Sequence, residues 1–308
     1  MNQLTCHDTG RDPNRLGLRA CGDAGQDDQG RYGLHRETPK HLQSSVRRIV
    51  TLRPMRTVTA TRYVLPLREG GSLPAIVEAD DLGMYVTKFR GAGQGVLALT
   101  AEIVAGEIGR ALGLPVPEIV FVEIDPVLGR NDPDAEIRHL LKASSGVNVG
   151  LDYLPGAADF VMTAADRVSP LVASLTVWFD SFVQNVDRTP RNPNLLLWHR
   201  ELYLIDHGAA LYFHHNRETM PSKARSPFTQ IEQHVLLPLA AELSAAASLA
   251  RGRLNEDVLR GVLALVPDEF LGEDASERRD AYLHFFLERL EHAAIFEEEA
   301  ARAHQRQL

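Results

Sequence analysis

Residues 185–208 read NVDRTPRNPNLLLWHRELYLIDHG, and this stretch decides how the chain is to be understood. Asp187 lies in an Asn-x-Asp-Arg turn and is followed by Asn192 and Asn194. Two short apolar runs, 195–198 and 202–205, are joined by His199-Arg200-Glu201, and Asp206 follows the second run. Apolar runs separated by a polar turn predict a hairpin. Such a hairpin brings the residue before its first strand beside the residue after its second. An amide oxygen and a carboxylate placed there form a hard-oxygen pair of the kind Mg²⁺ accepts, with waters and phosphates completing the shell. Asp187, in the loop upstream, is placed to accept a hydrogen bond from an incoming hydroxyl. Metal-assisted phosphoryl transfer needs this set: one group to orient the hydroxyl and two to hold the cation. Any one of these residues alone is ordinary, because Asn, Asp and Pro are common in turns. Their order around an apolar hairpin is what points to chemistry. The amide ligand is left open by spacing. Asn192 follows Asp187 by five residues, the interval of a kinase catalytic loop. Asn194 directly precedes the strand, where register fixes its position, and is favoured.

Upstream, residues 58–67, 75–78 and 84–89 read as strands, with Asp80-Asp81-Leu82-Gly83 turning between the last two. The Gly-rich stretch 91–95 opens a helix on which Leu97, Ala101, Val104, Ile108 and Ala111 share a face. Gly113 and Pro115 end it. With a further strand at 119–124, the first half is expected to be β-β-β-α-β, an antiparallel sheet with one packed helix. Lys88 falls on the third strand and Glu102 on the helix. A strand Lys held by a helix Glu can reach nucleotide phosphates. Glu107 lies about 140° round the helix from Glu102 and is expected to be solvated. Gly70-Gly71-Ser72 forms a turn whose backbone N–H groups suit phosphate, although it matches neither a Walker A nor a G-x-G-x-x-G pattern.

Downstream, residues 134–143 read as a short helix and 148–155 as extended. Ser169-Pro170 gives a helix start, with Leu171, Leu175, Trp178 and Phe182 as its buried stripe. The tail reads as helices over 231–249, 256–266 and 276–304, the last packing through Leu283, Phe286, Leu287 and Leu290. His207 is expected to pack behind Asp206, His214 and His215 to be exposed or substrate-facing, and Asp166 and Asp180 to be solvated. Three histidines with no cysteine nearby give poor support for a zinc hydrolase.

The chain has 308 residues, 44% hydrophobic and 24% charged, which fits one large domain or two lobes around a cleft. Its net charge of −8, without a long basic run, disfavours nucleic acid as a partner. Cys6 and Cys21 match no metal or redox spacing. No apolar run approaches membrane length and the start lacks an apolar signal core, so a cytoplasmic chain is expected. Residues 1–54 are rich in Gly, Arg, Asp and Gln; they are expected to be disordered, or to precede a true start at Met55.

Between about residues 59 and 213 the chain resembles the HipA-like kinases, an atypical branch of the protein-kinase-like fold. The resemblance is carried by GGSLP, YVTKF, LTAEIVAGEIGRALGLPVPE, VNVGLDYLPG, NVDRTPRNPNLLLW and LIDHGAAL. It implies an α+β, bilobed kinase with a β-rich nucleotide-binding lobe at 55–150 and a mostly helical catalytic lobe at 151–308. In that reading ATP and Mg²⁺ are the cofactors. Gly70, Gly71, Ser72 and Lys88 contact phosphates, Glu102 holds Lys88, and residues 148–154 form the hinge, with Asp152, Tyr153 and Leu154 at the adenine. Asp187 is the catalytic base, with Asn194 or Asn192 and Asp206 on the metal. The acceptor is a hydroxyl on a protein or a small molecule, and a protein regulator is a further possible partner. Well-known members are toxins that phosphorylate a protein serine. This chain is shorter and has a longer loop after Asp187, so the resemblance does not carry the toxin role. A nucleotide-binding pseudokinase acting as a regulatory module is the alternative.

Overall fold

The ten-residue strand Thr57–Pro66 (β1), buried at Val58 and Ala60, begins a sheet that closes on itself. The computed structural model describes residues 53–67, 73–93, 95–215 and 220–307. Gly70, Gly71 and Ser72 lie outside the described residues, as do all but Arg53 and Pro54 of the segment 1–54. All the described residues fall in one compact unit, Pro39–Leu308.

Strands β2 (Ala75–Ala79), β3 (Met84–Lys88), β4 (Ile119–Ile124) and β5 (Gly146–Asp152) join β1 in a barrel of order β1-β2-β3-β5-β4. The expected antiparallel sheet is thereby corrected. β1 and β4 run parallel, with Thr57 opposite Phe121 and Thr59 opposite Glu123. Closure leaves no strand edge unpaired, and two register shifts in β1 supply the bend. The interior is narrow and is filled by Val58, Ala60, Ala75, Val77, Ala79, Val120 and Val122. Gly150 has no room for a side chain: a Cβ there would stand 2.6 Å from Val122 Cγ2 and 3.1 Å from Tyr85 Cβ.

Helix α1 (Gly95–Ala111) lies between this barrel and the C-terminal helices, touching β4 and β5 on one side and α6 (Glu256–Ala264) and α7 (Asp268–Leu271) on the other. It is therefore buried nearly all round, and Glu107, expected in solvent, is buried beside Arg110 at 3.3 Å. Helical angle alone missed this because it assumes one covered face. The short helix α2 (Ala135–Ala143) starts on the Asp134 side chain, which accepts from Glu136 N.

Helix α3 (Pro170–Val183) starts as expected, with Ser169 Oγ capping Val172 N. The hairpin also forms, as β7 (Leu195–Trp198) and β8 (Glu201–Leu204), and β6 (Ala158–Asp159) pairs with β7. His199 and Arg200 both have positive φ, the backbone that a two-residue turn needs to match strand twist.

The short helix α4 (Met220–Ala224) follows, and the helical tail beyond it is more broken than its periodicity suggests. Residues 231–249 are two 3₁₀ turns, Thr229–Gln233 and Leu237–Leu239, before α5 (Leu243–Arg253) begins. Pro238 removes an N–H and clashes with the preceding turn, so the segment cannot continue as one helix. Likewise 276–304 divides at His292 and Ala293 into α8 (Ala275–Glu291) and α9 (Ala294–Gln305). There the His292 ring meets the Glu288 carbonyl at 3.0 Å, in competition with the helix ladder. Among the described residues no helix is long and apolar enough to cross a membrane.

Candidate active site

Lys88, the last residue of β3, projects from the barrel toward α1, where burial would ordinarily favour a neutral amine. Two carboxylates meet it: Nζ donates to Glu102 Oε2 and to Asp206 Oδ1, each at 2.5 Å. Burial would lower the Lys88 pKa, but Glu102 and Asp206 outweigh it and hold the ammonium above its ordinary range. Burial likewise opposes ionisation of Glu102, yet Lys88 and the His207 N–H bring its pKa down to about 2. An ionised clasp thus joins strand, helix and the turn after the hairpin, residues 118 positions apart in sequence among them.

Asp206 reaches this point because its backbone is left-handed, with φ 54. The following residue then points its N–H back at Glu102 Oε2, 2.8 Å away. His207 is fully buried, its Nδ1 3.4 Å from Glu102 Oε1 and its ring edge-on to Phe179, as packing behind Asp206 predicted.

The other end of the hairpin is held by residues that sequence reasoning passed over. Asp180, expected in solvent, is fully buried on α3. Its carboxylate accepts from Arg188 Nε at 2.6 Å, Asn185 Nδ2 at 3.0 Å and His234 Nε2 at 2.8 Å. Despite complete burial, Arg188 and His234 draw the Asp180 pKa down to about 2. Arg188 in turn donates through Nη1 to the carbonyl of Asn194 and reaches that of Ile205 at 3.4 Å. One guanidinium therefore ties both ends of the hairpin to α3. A signal was present: α3 is apolar on every face, and an Asp within such a helix has to be buried and paired.

Asp187, Asn192, Asn194 and Asp206 come together at those hairpin ends. Ile205 N donates to Asn194 O at 3.1 Å, so Asn194 lies beside the strand end that carries Asp206. Asn192 Nδ2 donates to Asp187 Oδ2 at 2.7 Å. The Asp187 pKa is raised, first by partial burial and then by the Asp206 charge, with both amides acting against them. The Asn194 Nδ2 atom is buried and interacts with the Asp187 carboxylate without a close hydrogen bond. Four non-glycine residues here are left-handed, Gln184, Asn194, Asp206 and Leu211. Such backbone costs on the order of 1 kcal/mol or more per residue and collects at functional sites.

Asp152 and Tyr153 lie at the far end of β5, and Val149 is the residue opposite Lys88. Their N–H groups are already donated, to Glu118 O and Met84 O, each at 2.9 Å, and Leu154 is buried. His214, expected to be exposed or substrate-facing, is instead buried against Tyr282 Oη at 3.1 Å, whereas His215 is exposed.

Compared with known families, residues 62–295 match the model of the HipA-like kinases. The chain belongs to the HipA-like kinase family. The matched span contains every member of the Lys88 and Asp187 clusters, and also the Asp180, Arg188 and His234 set that anchors them. This HipA-like chain is also similar in structure to a Helicobacter pylori proinflammatory kinase, CtkA. That likeness has 13% identity and a TM-score of 0.49, and covers 83% of this chain and 99% of the other. No curated protein matches this chain.

Proposed function

We propose that this HipA-like chain is an ATP- and Mg²⁺-dependent phosphotransferase acting on a Ser/Thr or small-molecule hydroxyl. It works as a two-lobed kinase, with a nucleotide lobe at 55–150 and a catalytic lobe at 151–308. The observation that carries this reading is the Lys88 ammonium clasped by Glu102 and Asp206.

Each residue has a part in that reading. Glu102 fixes Lys88, which neutralises phosphate charge. Asp206 and Asn194 hold the cation. Their donors suit it, being one carboxylate oxygen and one amide oxygen, the hard ligands that Mg²⁺ accepts. When bound, Mg²⁺ supplies charge neutralisation across the phosphates. Asn192, tied to Asp187, orients the base rather than the metal. Asp187 accepts the proton of the acceptor hydroxyl as that oxygen bonds to the γ-phosphorus and ADP departs. Its raised pKa makes it a better base than an ordinary aspartate. Asp152, Tyr153 and Leu154 border the adenine.

In a transfer assay with γ-labelled ATP, Asp187→Ala and Asp206→Ala should each lose at least about 100-fold in rate. Activity that survives both changes would rule the mechanism out.

A further inference from the structure

A cavity of about 460 Å³ opens beside the loop that carries Asp187. Its wall includes Gln184 and Val186 from that loop, Tyr212 and Phe213 from the turn after Asp206, and Lys223 and Phe228 beyond. Val186 is the immediate neighbour of Asp187, so the cavity reaches within one residue of the proposed base.

The rim is rigidly built. The Lys223 carbonyl accepts four donors: Ser226 N at 3.1 Å, Ser226 Oγ at 2.9 Å, Gln184 Nε2 at 3.1 Å and Arg289 Nη1 at 3.2 Å. Arg289 is fully buried and is satisfied by backbone carbonyls. It also donates to Ser181 and Phe182 at the end of α3, and to Ala224 and Ser226. A single guanidinium thus locks the rim to the helix that delivers Asp187. Gln184, Leu211 and Phe228 are left-handed around the same space, with φ 53, 56 and 55. Ordering of this kind is expected where a ligand must be met in fixed geometry.

Charge supplies the rest. Lys223 makes no ion pair with any described residue, and no Asp or Glu is among the described residues lining the cavity. Its side chain is exposed, while its backbone carbonyl is pinned by four hydrogen bonds. The cavity falls in the size range of small-ligand sites, about 300–1,000 Å³. Its apolar wall suits the body of an acceptor, and Lys223 suits an anionic group as a point charge.

We infer that this cavity is the acceptor subsite, that its acceptor carries a carboxylate or phosphate beside the reacting hydroxyl, and that Lys223 selects for that group. The inference rests on the phosphotransferase reading above. In the transfer step the acceptor O–H proton goes to Asp187, a bond forms from acceptor oxygen to γ-phosphorus, and the bond to ADP breaks.

The test uses the full chain with Mg-ATP and two sets of acceptors. One set is Ser/Thr peptides with flanking Asp, Glu or phosphoserine, or with flanking Lys or Arg. The other is glycerate and glycerol 3-phosphate against glycerol. Anionic acceptors should be favoured about tenfold in kcat/KM. Lys223→Glu should reverse that preference and Lys223→Arg should keep it, with melting temperature confirming that both variants fold. The set that responds identifies the source of the anion, peptide or small molecule. Preference for basic acceptors, preference unmoved by Lys223→Glu, or ATP turnover without transfer to any anionic acceptor each overturns the inference. ADP formation and the Mg-ATP melting shift are read on the same sample. If both are missing, it is the phosphotransferase reading that has failed.

Discussion

Two histidines give the protein an acid sensitivity that can be worked out residue by residue. His214 is surrounded by Tyr282, His215 and Arg278, and burial brings its pKa down to about 3. His234 is also lowered, by burial, although Asp180 opposes the shift. A histidine whose folded pKa is depressed binds fewer protons folded than unfolded. Its contribution is complete above the unfolded value near 6.5 and is lost as pH falls toward the folded value. The carboxylates Glu102 and Asp180, both near 2 when folded, lose theirs only below about 4.5. Glu107, Asp152 and Asp187 are shifted upward and act in the opposite sense just above their ordinary values. Comparison of wild type with His214→Phe cancels every group but one. Between pH 5 and 6 the stability of the wild type should fall more steeply, by about 1.4 kcal/mol per pH unit. Urea unfolding at each pH measures it, and equal slopes would show that His214 is protonated in the folded state. None of this could be read from the sequence. The two adjacent histidines, His214 and His215, look alike there, and only the packing of α8 over the first separates them.

At the scale of elements, local pattern gave the hairpin, β2 to β5, α1 and the Ser169 cap, because period, turn residues and caps are written within a dozen positions. Pairings across long separations left no such trace. The parallel contact of β1 with β4 closes the barrel, yet it shows in sequence only as small residues at Ala60, Ala75, Ala79 and Gly150. The candidate site divides the same way. Lys88, Glu102, Asp187 and Asp206 stood on recognisable elements, whereas Asp180, Arg188 and His234 act through burial that only the assembled helices create. The barrel's tightness is testable with two glycines. Gly150→Ala drives a methyl into Val122 and Tyr85, neither of which can swing away, and should cost about 1–3 kcal/mol. Gly252, in α5, has nothing within 4 Å of an added Cβ. Gly252→Ala should therefore stabilise by about 0.5–1 kcal/mol through helix propensity alone. Denaturant midpoints distinguish the two. Equal effects would mean that the barrel interior has slack.

Across the whole molecule, one charge arrangement joins the parts. The large core cluster includes residues of α1 and of the C-terminal helices, a smaller cluster fills the barrel, and the Lys88 clasp lies where β3, α1 and the Asp206 turn meet. Around that clasp Asp187 and Asp206 repel each other, which adds to partial burial in shifting the former upward. Nucleotide triphosphate alone would add negative charge to this carboxylate pair, while the same nucleotide with Mg²⁺ would relieve it. Mg-ATP at a hundred times its Kd should stabilise the fold by about 2.7 kcal/mol. For a chain of this size that is a rise in melting temperature of roughly 5–10 °C. ATP with EDTA should give a much smaller rise, and Asp206→Asn should remove most of the difference between the two conditions. Thermal unfolding followed by tryptophan fluorescence is a suitable measure, because Trp178 packs against Phe182 and Phe296 deep in the helical core. If ATP stabilises equally with and without the metal, Asp206 and Asn194 do not act as a cation site, and the phosphates must be held by Lys88 alone.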